Sequence, residues 1–310
     1  MPSIAARGVA VLLRVVRANA TFVDAGKARA HIEDRRIRPQ PFAPPARLRG
    51  VHVALDRSSG WPIYTVTPSG SSSPGSTPGA APRVGVVYLH GGAWVNEIVT
   101  QHWSLIAQIA READVEVTVP IYPLAPFGTA GEVVEQVTRI ALDVHGRLGG
   151  VVLAGDSAGG QIALSAALLL QAEHGVAPAR TILISPALDL SFTNPGIPVV
   201  QPHDPWLARP GGIVYADLWR GELPVDDLRV SPLSGDLATV GPITVFSGTH
   251  DILNPDARLL AERAEALGAD LTYFEAPQQV HVYPLLPTPE GRAARRTLVE
   301  QVTGSLAPRR

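Results

Sequence analysis

Residues 151–161 read VVLAGDSAGGQ. The apolar run 151–154 meets Gly155-Asp156-Ser157-Ala158-Gly159, and an apolar pattern of helical period begins directly afterwards. G-x-S-x-G between a strand and a helix is the setting of a nucleophile elbow, a turn so tight that its serine sits strained with Oγ exposed. Glycines two before and two after Ser157 remove the Cβ atoms that would collide there. The helix points its free N–H groups at the site, where they favour a developing anion. The competing reading is a plain Gly-rich turn. A phosphate loop does not fit, because no Gly-Lys-Ser/Thr follows.

Strand and helix signals alternate on both sides of this stretch. Strands are predicted at 84–89, 115–119, 151–154, 180–185, 243–247 and 271–275, and helices at 100–112, 129–148, 158–174, 255–267 and 290–305. Such alternation predicts an α/β fold, a mostly parallel central sheet with helices on both faces. Residues 50–56 and 61–67 alternate apolar and polar, giving two early strands of antiparallel type. Residues 1–47 read as one or two helices followed by a Pro-rich stretch, and residues 69–82 as a flexible Ser/Pro/Gly loop. Residues 186–236 break the rhythm with prolines and the aromatics Phe192, Trp206, Tyr215 and Trp219. The expected organisation is one domain, 1–310, with cap elements from about 1–47 and 190–236.

Composition narrows the chemistry. Hydrophobic residues make up 45% and charged residues 17% of 310, so a large core is expected. A net charge of −2 without a basic cluster argues against a nucleic-acid partner. The absence of cysteine excludes disulfides, thiolate metal sites and thiol catalysis. Residues 4–16 are apolar but are punctuated by Arg7 and Arg14, with Arg17 just beyond. They read as an amphipathic helix lying over the protein rather than a signal peptide, and loose membrane contact through this helix stays open. Stable membrane insertion is not expected, a cytoplasmic location follows from the lack of a convincing signal, and no metal is expected.

Reactive residues cluster after predicted strands: His90, Ser157, Asp251 and His281 all fall there, so they converge on one sheet edge. Consecutive glycines in His90-Gly91-Gly92-Ala93-Trp94 leave backbone N–H groups open to a ligand oxygen. Gly91 and Gly92, with the N–H of Ala158, would form an oxyanion hole, each donor contributing about 2.7–4 kcal/mol. A serine hydroxyl needs a base that a carboxylate orients. His281 is the best base, ahead of His250, which neighbours the acid in sequence and would point away. Asp251 is the best acid, ahead of Asp256, which the dipole of a helix first turn explains. Asp156 pins the elbow, and His90 holds its own loop.

HGGAW, IYPLAP (121–126), GDSAGG (155–160) and SPALDL (185–190), followed by an Asp and a terminal His, resemble the hormone-sensitive-lipase-like (bacterial type IV) esterase branch of the α/β-hydrolases. The motifs span 84–285. The resemblance implies Ser157 as nucleophile, Asp251 as acid, His281 as base, donors at Gly91, Gly92 and Ala158, and a helical cap. It also implies hydrolysis of short-chain carboxylic esters without a cofactor, with a small-molecule ester as substrate. Two departures stand out. The third glycine of the usual H-G-G-G is Ala93, and the usual Tyr-Arg-Leu-Ala-Pro-Glu appears as Tyr122-Pro123-Leu124-Ala125-Pro126-Phe127, without its two charges. These place the substrate subclass in question rather than the catalytic core.

A lactone or an amide such as an aryl formamide would use the same machinery. Trp94, Trp206, Tyr215 and Trp219 could line a pocket for a cyclic or aromatic group, or pack the cap. A reading of another class, a non-catalytic small-molecule receptor, resembles the plant gibberellin receptors, which lack the base histidine that is present here. A homodimer is compatible with everything above.

Overall fold

A computed structural model describes residues 1–58, 60–70 and 84–306. Three helices open the chain, α1 (Ile4–Val15), α2 (Ala20–Val23) and α3 (Ala25–Ile37), where the sequence suggests one or two. β1 (Val51–Asp56) and β2 (Ile63–Pro68) follow, and then β3 (Gly85–Leu89), α4 (Thr100–Ala113), β4 (Val117–Pro120), α5 (Ala130–Leu148), β5 (Val151–Asp156) and α6 (Ala158–His174). After β6 (Arg180–Ile184) come α7 (Ile197–Val200), α8 (Arg209–Arg220), β7 (Ile243–His250), α9 (Asn254–Leu267), β8 (Leu271–Val280) and α10 (Pro289–Gly304). The 69–82 loop lies, beyond its first two residues, outside the described residues.

The eight strands form one sheet in the order β1-β2-β4-β3-β5-β6-β7-β8. β1–β2 and β2–β4 pair antiparallel, and every other pair is parallel. The inner strands β3 and β5 are buried along their whole length, as strands covered on both faces must be. Their side chains alternate between two cores. Val87, Leu89 and Leu153 share one core with residues of α5, α6 and α9, whereas Val86, Tyr88, Val152 and Ala154 share the other with residues of α4 and α10. The expected mostly parallel sheet with helices on both faces is therefore present. Among the described residues no helix is long and apolar enough to cross a membrane.

Two local features escape sequence reading. Helix α8 begins Arg209-Pro210-Gly211-Gly212, which reads as a turn. Proline at the first helical turn costs no hydrogen bond, because that N–H is unpaired anyway. The two glycines serve close packing instead: a Cβ at Gly211 would strike the backbone of Thr21 and Phe22, and one at Gly212 the Phe192 ring. Strands β7 and β8 also run past their predicted ends, β8 through Pro277, which an edge strand tolerates. Their pairing includes a register shift between Gly248 and His250 and ends with His250 opposite Val280. The next residue on each strand is Asp251 and His281.

Candidate active site

Ser157 stands between β5 and α6 at φ 53° and ψ −117°, a conformation costly for any side chain. The turn is enforced by what surrounds it. Its amide donates to the Ile184 carbonyl of the neighbouring strand at 2.8 Å. A Cβ at Gly155 would meet the Gly159 backbone, and one at Gly159 the Leu89 carbonyl, so helix and strands approach as only glycine allows. Beneath the turn Asp156 is buried and accepts from the Tyr88 hydroxyl at 2.7 Å and from His102 Nε2 at 3.2 Å. His102 Nδ1 takes the Val99 amide at 2.9 Å, which leaves the proton on Nε2 to face Asp156.

The register end of β7 and β8 brings the remaining groups to Ser157. His281 Nε2 lies 2.9 Å from Ser157 Oγ, and His281 Nδ1 lies 2.8 Å from Asp251 Oδ2. Asp251 Oδ1 accepts from the Leu253 amide at 2.9 Å, which fixes the carboxylate plane. Both Asp251 and His281 are buried. Burial by itself would lower the His281 pKa, but Asp251, with Asp204 and Asp156 farther off, outweighs it, and the net shift is upward. His250 lies elsewhere, stacked on His203 with ring centroids 5.4 Å apart. Asp256 sits in the first turn of α9 and accepts from Asn194 at 2.8 Å.

The His90–Trp94 loop faces Ser157 from β3. A Cβ on Gly91 would press within 3.0 Å of the Ser157 Cβ, so the two backbones are in contact there. Gly92 takes φ 137°, and its carbonyl accepts from the Val95 and Asn96 amides at 3.2 and 2.9 Å. Among the described residues the N–H groups of Gly91, Gly92 and Ala158 have no hydrogen-bond acceptor. The loop is clamped from behind. His90 Nδ1 donates to the Gly91 carbonyl at 2.8 Å, and the Tyr122 hydroxyl donates to the His90 carbonyl at 2.6 Å. Burial, and then the neighbouring His102, bring the His90 pKa down to about 4, so the ring is neutral.

A cavity of about 440 Å³ opens onto Ser157 and His281. Its apolar lining includes Phe22, Trp94, Phe192, Trp206, Tyr215 and Leu285. Trp206 meets His281 edge-on, with ring centroids 5.9 Å apart. Three of the four aromatic pocket residues expected from the sequence therefore border the cavity, and Trp219 does not. Trp219 is fully buried behind it, stacked on Trp94 at 5.8 Å, and its indole N–H is taken by Gln161 Oε1 at 2.9 Å. The same oxygen accepts from Trp94 Nε1 at 3.1 Å. Among the described residues no cluster of three or more His, Asp or Glu side chains is placed to hold a metal ion.

Two contributors were not legible in the sequence. Phe22 reaches the cavity from α2, far along the chain from any motif. Asp204, in the irregular segment after β6, uses Oδ1 to accept from the Trp206 and Leu207 amides and Oδ2 to accept from the Ile252 amide. Burial, followed by the nearby Asp251, pushes its carboxyl up to about 7 against the pull of those amides. An Asp followed two residues later by Trp is the only signal of that turn.

The fold and this constellation define a hydrolase scaffold. A family model described as alpha/beta hydrolase fold matches residues 86–285, and the chain belongs to that family. It is 34% identical over 243 residues to a triacylglycerol lipase of Mycobacterium tuberculosis, covering 76% of this chain and 50% of the lipase. An esterase of the same organism, LipU, is 38% identical over 246 residues, covering 74% of this chain and 80% of LipU. An esterase of Acinetobacter venetianus is 32% identical over 186 residues, covering 58% and 61%. The chain thus matches half of the lipase and under two thirds of the Acinetobacter esterase. A solved esterase from the bacterial hormone-sensitive lipase family superposes with a TM-score of 0.77 at 25% identity, covering 99% of this chain and all of that one. The resemblance noted in the sequence is to this group.

Proposed function

We propose that the chain is a serine hydrolase that cleaves short-chain carboxylic esters through an acyl-enzyme. The observation that carries this reading is the unbroken run Ser157 Oγ, His281 and Asp251, with contacts of 2.9 and 2.8 Å, at the wall of an apolar cavity. Ser157 Oγ attacks the ester carbonyl carbon as its proton passes to His281 Nε2. The carbonyl oxygen, now anionic, receives the N–H groups of Gly91, Gly92 and Ala158. Collapse of the tetrahedral intermediate breaks the bond to the alcohol, which leaves with the proton from His281. A water then gives its proton to His281 and attacks the acyl carbon, and the returning proton restores Ser157 as the acid departs. Asp251 holds Nδ1–H throughout, so that Nε2 is the basic nitrogen.

The names of the relatives, a triacylglycerol lipase and two esterases, support an ester as the scissile group. The cavity size supports small acyl and alcohol parts. Phe22, Phe192, Trp206, Leu207 and Tyr215 line it from the N-terminal helices and from the 190–236 segment, which supports reading those two regions as a cap over one domain.

The test is hydrolysis of p-nitrophenyl esters from acetate to laurate by the wild type and Ser157→Ala. Cleavage that peaks at short acyl chains and vanishes in the folded alanine variant is expected. A folded, fully active Ser157→Ala protein would sink the assignment. If the wild type cleaved no ester yet took a fluorophosphonate label at Ser157, the lactone or amide reading would replace it, and failure of both assays would favour the receptor.

A further inference from the structure

Helix α1 is apolar on both sides, and only one side is covered. Ala6 is buried, and Val9, Ala10 and Leu13 are half-buried on the same inner face. On the opposite face Ile4, Val11, Leu12 and Val15 are exposed, Ile4 at 81% and Val15 at 74%. At 3.6 residues per turn Ile4, Gly8, Val11 and Val15 lie within about 60° of one another, with Leu12 beside them, so they form one stripe. Val16 extends it past the helix end. A contiguous apolar stripe of this kind marks an interaction surface.

The helix is fixed at both ends. Ser3 Oγ donates to Glu290 at the start of α10 at 2.8 Å, and Arg14 donates to the His203 carbonyl at 3.1 Å. Each anchor adjoins the cavity in sequence: Leu285 and Leu286 precede Glu290, and Trp206 follows His203. Val199, four residues before His203, is a further apolar side chain exposed at 72%.

Charge decides what covers the stripe. Residues 1–23 contain Arg7, Arg14 and Arg17 and no acidic residue, although the whole chain has 28 acidic against 26 basic residues. Arg7 and Arg14 share one flank of the stripe, two turns apart. A second copy packed antiparallel on this stripe through a two-fold axis would set the arginines of the two helices against each other with no carboxylate on either helix to pair them. Anionic lipid headgroups beside an acyl-chain boundary satisfy both the stripe and its basic flank.

We propose that the outward face of α1 docks on an anionic lipid surface, lying in the headgroup plane without crossing the bilayer, with the cavity-lining segments next to it. The test is co-sedimentation of the full chain with vesicles of equal parts phosphatidylcholine and phosphatidylglycerol, and with phosphatidylcholine alone. Leu12→Glu/Val15→Glu changes only exposed positions, and Arg7→Gln removes one flank charge. Binding to the anionic vesicles, weakened by salt, reduced at least about tenfold in the double variant and several-fold in Arg7→Gln, is expected. An unchanged melting temperature establishes that the variants are folded. Absence of vesicle binding, equal binding to phosphatidylcholine alone, or binding that the double variant retains would overturn the proposal. So would a wild-type dimer in sedimentation velocity that the double variant abolishes, with no lipid binding in either.

Discussion

Asp204 Oδ2 accepts the Ile252 amide at 2.9 Å, and so ties the irregular segment between β6 and β7 to the loop that carries Asp251. Its other oxygen holds the Trp206 and Leu207 amides at 2.8 and 2.9 Å. One carboxylate therefore positions both the loop that carries Asp251 and the aromatic ring that meets His281.

Asp204→Ala would leave three N–H groups without that acceptor, at roughly 1–3 kcal/mol for each one that stays buried and unpaired. Asparagine supplies one carbonyl oxygen, which can serve the Trp206–Leu207 pair or Ile252 but not both. Thermal unfolding should rank aspartate above asparagine and asparagine above alanine. An alanine variant as stable as the wild type would show that the tie has no structural weight.

The pH profile of ester cleavage should report His281. The base must be neutral to accept the Ser157 proton, so kcat/KM rises as pH passes through its pKa. Asp251 raises that pKa, which places the acid limb above the ordinary imidazole value of 6.5. Asp251→Asn removes the strongest attraction for the proton and leaves only Asp204 and Asp156, farther off, to oppose burial. The limb should then move to lower pH, and turnover should fall by about 10⁴ through loss of the tautomer. A limb that stayed in place in Asp251→Asn would mean that another group sets it.

Gln161 joins two tryptophans behind the His90–Trp94 loop. Its Oε1 accepts from Trp94 and Trp219, and its Nε2 donates to Ser165 Oγ at 2.9 Å and to the Arg229 carbonyl at 2.7 Å. Gln161→Leu keeps much of the volume but strands two buried indole N–H groups, and a loss of about 2–6 kcal/mol is expected in denaturant unfolding. Because Trp94 ends the loop that holds Gly91 and Gly92, kcat should fall more than KM changes. Unaltered stability and kinetics would argue against this coupling.

Motif spacing carried most of the sheet and the candidate site. Gly91, Gly92, Gly155, Ser157 and Gly159 stand where tight turns restrict the residue type, Asp251 and His281 follow directly on strands, and such signals are local. Helix α8 was hidden because Pro210-Gly211-Gly212 has turn chemistry, while the reason for the glycines, contact with α2 and Phe192, is long-range. Trp219 could be read either way for a related reason. An aromatic ring carries no mark of whether it faces a cavity or a neighbour, and here Gln161 had already claimed its N–H.

The amino-acid sequence by itself determined the alternation of strands and helices and the strained elbow at Ser157. It also determined the order of serine, aspartate and histidine along the chain, because each is written in short-range periodicity or in backbone sterics. Tertiary structure alone decided that β7 and β8 pair to the residue before Asp251 and His281, that Asp204 braces them, and that Phe22 walls the cavity while Trp219 does not. Those outcomes depend on register and on contacts between segments far apart in the chain, which hydrophobic patterning does not encode.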